Sequence, residues 1–251
     1  MSNPTPDSTP ETAPPLWHHH RLQLRTQLGA LALDIDLYLT HNWTVIFGPS
    51  GSGKSTILRA LAGLLPSANA RLIRQDEDRN KHDLTHTPPR ERRIAYAPQQ
   101  PSLFPHLTVA DNIAFAQRFS SRPAPSQQTI DDAIKVFRLD DLLHRYPKNL
   151  SGGERQRVNL ARAFCVPNPQ LMLLDEPFAG IDRPLRDAIL PELRETLRLS
   201  GVPVVSVTHD VEEAFRLQAE VVVLRDGRIA NQGYVSKVLA DERLSVLDAL
   251  H

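Results

Sequence analysis

One segment constrains this chain more than any other: Gly48-Pro49-Ser50-Gly51-Ser52-Gly53-Lys54-Ser55-Thr56, which matches G-x-x-x-x-G-K-[ST]. Glycines at these places let the backbone curl until several N–H groups converge on one anion. A helix starting at the end of such a loop adds the positive end of its dipole. Lys54 is long enough to reach β- and γ-phosphates, and the Ser55 hydroxyl suits a hard cation such as Mg²⁺. The plain alternative is a glycine-rich turn between a strand and a helix, and context decides between them. Asn42–Phe47 is a short apolar run that reads as a strand, and Ser55–Leu65 reads as a helix stopping near Pro66. The spacing therefore marks residues 48–56 as a nucleotide site.

The rest of the chain supplies the setting such a loop needs. Leu22 and Leu24, then Leu31, Leu33, Ile35, Leu37 and Leu39, recur at period two and predict a strand pair buried on one face. Residues 66–90 are polar and carry Pro88-Pro89, so turns and short edge strands are expected there, followed by a strand over Arg93–Ala97. From Thr108 to Val166 the spacing is mostly helical, with a loop at Ser120–Ser126, which suggests a helical insert at about 105–165. Strands at Leu171–Leu174, Val202–Thr208 and Val221–Leu224 then alternate with helices at Pro184–Ser200 and Val211–Leu217. That order predicts an α/β fold with a parallel sheet. Residues 1–20, with five prolines among the first fifteen and three histidines at the end, read as a disordered tail before a domain at 21–251.

Composition narrows the classes of partner. Twenty-nine basic and twenty-nine acidic residues cancel, so the total charge gives no footprint for nucleic acid. The single cysteine, Cys165, excludes an internal disulfide and reads as a core residue. No apolar run approaches the roughly 18 residues that span a bilayer, and no secretory signal is visible at the N-terminus. A cytoplasmic protein that reaches a membrane only through a partner is the expectation.

Two more strands end in chemistry. Leu171-Met172-Leu173-Leu174 runs into Asp175-Glu176, and a buried parallel strand can place an acid only at its carboxyl end, where the sheet opens to its ligand. Asp175 is placed to hold Mg²⁺, and Glu176 to polarise an attacking water. An N-cap pair for the next helix is the bland alternative. Val204-Val205-Ser206-Val207-Thr208 delivers His209 to the same edge, although a lone histidine at a strand end is usually structural.

Leu150-Ser151-Gly152-Gly153-Glu154-Arg155-Gln156-Arg157 resembles the signature of ABC transporter ATPases, and it is the most specific segment of the chain. With the loop at 48–56, Gln99, the Asp175-Glu176 pair, Asp182 and His209, it reproduces that family's ordered set over about residues 21–235. The resemblance implies a P-loop cassette: a RecA-like core, an antiparallel β subdomain and a helical insert. It implies ATP and Mg²⁺ as ligands, with Lys54, Glu176, His209 and Gln99 catalytic. Ser55, Gln99 and Asp175 would face the metal; Gln100 is the alternative to Gln99. It also implies that Ser151, Gly152, Gly153 and Asp182 act across a two-fold dimer, on ATP held by a second copy of the chain.

The resemblance further implies membrane permease subunits, with a substrate-binding protein acting through them, and a place on the inner face of the cell membrane. Arg92–Asn112 and Leu190-Pro191-Glu192-Leu193 are similar to importer ATPases, molybdate importers among them, so molybdate or a related oxyanion is the expected cargo. One departure stands out: Leu28, before Gly29, occupies the place where family members commonly stack adenine on an aromatic ring. Nearby Trp43 is expected in the core. An importer of a different cargo, or a soluble cassette acting on nucleic acid or the ribosome, is the alternative. Such soluble cassettes usually carry coiled-coil arms, zinc modules or two cassettes, and this sequence has none of these.

Overall fold

A computed structural model describes residues 19–65, 69–76, 78–116 and 126–240. Two sheets organise it. A four-stranded antiparallel sheet is made of β1 (His19–Leu28), β2 (Leu31–Leu39), β4 (Ala70–Gln75) and β5 (Lys81–Asp83), in the order β2-β1-β4-β5. A six-stranded sheet has the order β10-β9-β3-β8-β7-β6. Its members are β3 (Trp43–Phe47), β6 (Ile94–Ala97), β7 (Leu171–Asp175), β8 (Val204–Thr208), β9 (Glu220–Arg225) and β10 (Arg228–Tyr234).

Five of those six strands are parallel, as the alternation with helices predicts; β10 pairs antiparallel with β9 at the edge. Strand β10 is not among the expected strands, because its Arg-Ile-Ala-Asn-Gln-Gly-Tyr carries no apolar alternation. The Asp226-Gly227 turn before it is the local hairpin signal, and the Gly227 carbonyl accepts from the Asp34 amide at 2.9 Å, tying this hairpin to β2.

Helix α1 (Lys54–Ala62) lies between the two sheets. Its Ile57, Leu58 and Leu61 share one core with Leu22, Leu24, Ile35 and Leu37 below and with Leu171, Leu173, Val205 and Val207 above. Met172, Leu174 and Val204 face a second core built with the helices. Period two therefore sorts each buried strand: odd residues of β7 point toward α1 and even residues toward the other layer. Helix α1 ends three residues sooner than its apolar spacing suggests, because Gly63 turns left-handed at φ 75° and caps it.

The second layer carries α2 (Val109–Ile113), α3 (Gln127–Val136), α4 (Gly152–Phe164), α5 (Arg183–Ser200), α6 (Val211–Leu217) and a short α7 (Val235–Val238). The expected loop at Ser120–Ser126 lies outside the described residues apart from Ser126. Residues 1–18 of the expected tail also lie outside them, but His19 and His20 belong to β1, and His20 is buried. The polar run hid the fact that alternation already begins there. Trp43 is in the core, its indole N–H donating to Ser206 Oγ at 2.9 Å. Cys165 is fully buried, which pushes its thiol up to about 12 and leaves it inert. None of the described helices is long and apolar enough to cross a membrane.

Candidate nucleotide site

Parallel pairing brings the carboxyl ends of β3, β6, β7 and β8 to one edge, where Phe47 lies beside Thr208 and Asp175 beside Val207. The loop after β3 carries residues 48–53, and α1 starts at Lys54 behind Gly53, whose φ of 98° a side chain would strain. Lys54 is 6% exposed. Its ammonium folds across the loop and donates to the carbonyls of Gly48 and Pro49, both at 2.8 Å. Burial lowers its pKa, and the Glu176 and Asp175 carboxylates pull the other way. The Ser52 hydroxyl is buried and without a partner among the described residues. An unmatched polar atom in the wall of a glycine-rich loop is what a phosphate oxygen would satisfy.

Strand parity decides where the first acid goes. Asp175 shares the face of Leu171 and Leu173, so its carboxylate meets α1 and accepts from Ser55 Oγ at 3.0 Å. Tyr96, on the same face of β6, donates to its other oxygen at 3.4 Å. Asp175 is 2% exposed, and burial raises its pKa, against the Ser55 hydrogen bond and with the repulsion of Glu176. The described residues hold no cluster of three or more His, Cys, Asp or Glu able to bind a metal. One hydroxyl and one carboxylate 3.0 Å apart are an incomplete oxygen set. That fits Mg²⁺, which keeps several waters and takes substrate phosphates as ligands.

Glu176 leaves the strand in a left-handed conformation, φ 46°, an uncommon one for a side-chain-bearing residue. Its amide donates to Val207 O at 3.0 Å, and its Oε1 lies 3.4 Å from His209 Nδ1. His209 itself is two-thirds exposed. The turn is held from the opposite layer: buried Gln156 of α4 donates to the carbonyls of Glu176 and Pro177, at 3.3 and 3.1 Å.

The start of α4 is built differently. Ser151 is its N-cap: Ser151 Oγ accepts from the Glu154 amide at 3.2 Å, and the Glu154 carboxylate accepts from the Ser151 amide at 2.6 Å. That last bond holds the Glu154 carboxyl below its usual range. A Cβ on Gly153 would lie 2.6 Å from the Gly180 carbonyl, whereas one on Gly152 would meet nothing within 4 Å. Asp182 caps α5, accepting from the Leu185 amide at 3.0 Å. Gln99 and Gln100 are both exposed, in the bend after β6. That bend is fastened to α4, with Asn159 donating to Pro98 O at 3.0 Å and Arg162 to Ser102 O at 2.7 Å.

The structure thus gathers Lys54, Ser55, Asp175, Glu176 and His209 at one edge. Ser151–Gly153 make no hydrogen bond to the 48–56 loop among the described residues, and Gly153 lies against the Gly180 turn. Leu28 is half-buried, packed against the core beneath the antiparallel sheet. Tyr96, Gln156 and Asn159 carry no sequence signal for these roles, because their partners are all distant in the chain.

Known proteins resemble this arrangement. The family model described as ABC transporter matches residues 33–179. The molybdenum import ATP-binding protein ModC of Albidiferax ferrireducens is 39% identical over 221 residues, covering 87% of this chain and 59% of the relative. The spermidine/putrescine import ATP-binding protein PotA of Marinobacter nauticus is also 39% identical, over 203 residues, covering 80% of this chain and 52% of the relative. The chain thus spans a little over half the length of these two relatives. Among solved structures, the dimeric post-hydrolysis state of the ATP-binding cassette MJ0796 bound to ADP and Pi superposes with a TM-score of 0.73 at 26% identity. That superposition covers 86% of this chain and 98% of MJ0796.

Proposed function

The chain belongs to the ABC transporter family, and from that premise we propose that it is the ATP-hydrolysing subunit of an importer. It would act as a dimer of two copies bound to membrane permease subunits on the cytoplasmic face, a substrate-binding protein acting through them. The observation that carries this reading is the pair of acids at the end of β7, Asp175 beside Ser55 and Glu176 beside His209, next to the glycine loop. The domain runs from β1 onward, with a helical insert at about 105–165. Molybdate or a related oxyanion is the proposed cargo, on the likeness to molybdate-importer ATPases. A relative equally identical is named for spermidine and putrescine, so the cassette does not by itself choose the cargo.

The residues divide the work of hydrolysis. Amides of Gly48–Thr56, the Ser52 hydroxyl and Lys54 hold the β- and γ-phosphates, with the Lys54 ammonium exchanging carbonyl oxygens for phosphate oxygens. Ser55, Asp175 and Gln99 would hold Mg²⁺, which supplies charge neutralisation on the β- and γ-oxygens when bound. Glu176 accepts a proton from water as its oxygen bonds to the γ-phosphorus and the bond to the bridging oxygen breaks; the electron pair leaves with ADP. His209, exposed beside Glu176, orients the γ-phosphate. Ser151, Gly152, Gly153 and Asp182 complete the site on the second copy. Without an aromatic at Leu28, adenine gains no ring stacking there.

Size-exclusion chromatography of Glu176→Gln with and without Mg-ATP tests the reading. The expected outcome is an ATP-dependent shift from monomer to dimer, with turnover reduced about 100-fold or more. Native turnover in that variant would remove Glu176 from the mechanism.

A further inference from the structure

A buried carboxyl stands behind the catalytic edge with no part in the mechanism above. Glu213, on α6, is 4% exposed. Its Oε2 accepts from Thr208 Oγ1 at 3.2 Å, and Thr208 Oγ1 accepts in turn from the Asp210 amide at 3.0 Å. These two bonds bracket His209 on both sides. Asp210 completes the brace, accepting from the amides of Glu212 and Glu213 and pairing with Arg186 of α5 at 2.5 Å. The other Glu213 oxygen, Oε1, is buried without a partner among the described residues.

We propose that Glu213 is the positioning residue of the His209 arm, clamping the Thr208 hydroxyl so that the imidazole is presented beside Glu176. The proposal deepens the ATPase reading and rests on it. Chemistry favours an uncharged clamp. Charged groups facing Glu213 are Asp210 at its own helix cap, Arg186 from α5 and Glu176 from the turn after β7. Two carboxylates outweigh one guanidinium, and a buried orphan oxygen tolerates no full charge. Burial, with those neighbours, pushes the Glu213 carboxyl up to about 8. Above that pH the Thr208 bond itself strengthens, but the buried anion repels Asp210 and Glu176, and that repulsion shifts the His209 arm.

Two measurements on the full chain decide the matter. In steady-state ATP turnover, Glu213→Leu and Thr208→Val each lower kcat about tenfold with the KM for ATP unchanged, and the double variant is no worse than either. Glu213→Gln rescues turnover at neutral pH and removes the alkaline fall above about 8. Additive losses, or an effect confined to KM, would overturn the clamp. Independently of turnover, the His209 Cε1–H resonance, identified by its loss in His209→Gln, is followed by NMR from pH 6 to 10. A second inflection near 8 that vanishes in Glu213→Gln supports the proposal, and its absence in the native chain sinks it. If no variant and no native protein turns over ATP, the ATPase reading fails while the resonance still decides the role of Glu213.

Discussion

The loop at 48–56 and the N-terminus of α4 both offer backbone amides to an anion, yet they are built on opposite plans. At the loop the polar groups are buried and matched inward: Lys54 to its own carbonyls, Ser55 to Asp175, both carried on α1 between two sheets. At α4 the cap is closed on itself by Ser151 and Glu154, and Ser151 and Gly152 face solvent. The first is walled by buried Ser52 and Lys54, with Pro49, Ser50 and Gly51 facing solvent. The second is anchored from behind, through Gly153 and Gln156, and presents its open side outward. Both leave an open side, as the proposed pairing with a second copy requires.

That contrast can be broken by experiment. The largest effect is expected inside the loop. Lys54→Ala removes a buried cation at the phosphate cradle and lowers the monomer's ATP affinity about 100-fold or more, measured by titration calorimetry. Native affinity would mean that the cradle does not depend on its buried charge. A smaller effect, of a different kind, is expected from Ser151→Ala. Turnover falls about tenfold and the helix loses about 1 kcal/mol of capping, while ATP binding to the monomer stays native. Should monomer affinity fall as well, Ser151 would belong to the same half as Lys54, and the two-plan distinction collapses. The smallest effect sharpens the anchoring claim. Gly153→Ala crowds the Gly180 carbonyl and costs about 1–3 kcal/mol in chemical denaturation, whereas Gly152→Ala, with open space ahead of it, changes stability by less than about 0.5 kcal/mol. Equal costs would show that the back of α4 is no better anchored than its front.

What could be read beforehand follows the same division. The 48–56 loop and the ends of β7 and β8 are local patterns, each an apolar strand delivering its chemistry at the next residue, and the structure places those residues at one edge. Groups whose partners lie far along the chain left no such trace. Tyr96 reaches Asp175 across 79 positions and Gln156 reaches Pro177 across 21. Arg92, buried and donating to the Ala60 and Leu61 carbonyls at the end of α1, looks in sequence like any charged residue beside a strand. The edge strand β10 was illegible for another reason: five of its seven residues face solvent, so burial never imposed a pattern on them. His19 and His20 erred in the opposite direction, polar letters concealing the first turn of alternation.

Strand parity in β7 has a consequence for which changes in chain length the protein can absorb. Asp175 owes its Ser55 partner to the odd face of a strand buried on both sides, and Glu176 meets His209 by leaving that strand one residue later at φ 46°. Deleting one residue between Leu171 and Leu174 would not merely shorten that strand; it would bring Glu176 to the post of Asp175, toward Ser55, and draw Asp175 back to the buried even face where Leu174 sits. One carboxylate would take the other's post, and the second would be left among apolar side chains. Point substitutions in β7 are graded in their cost, but a single-residue indel there is all-or-none, whereas one at the Asp226-Gly227 turn would leave both acids in place and cost the tie to β2.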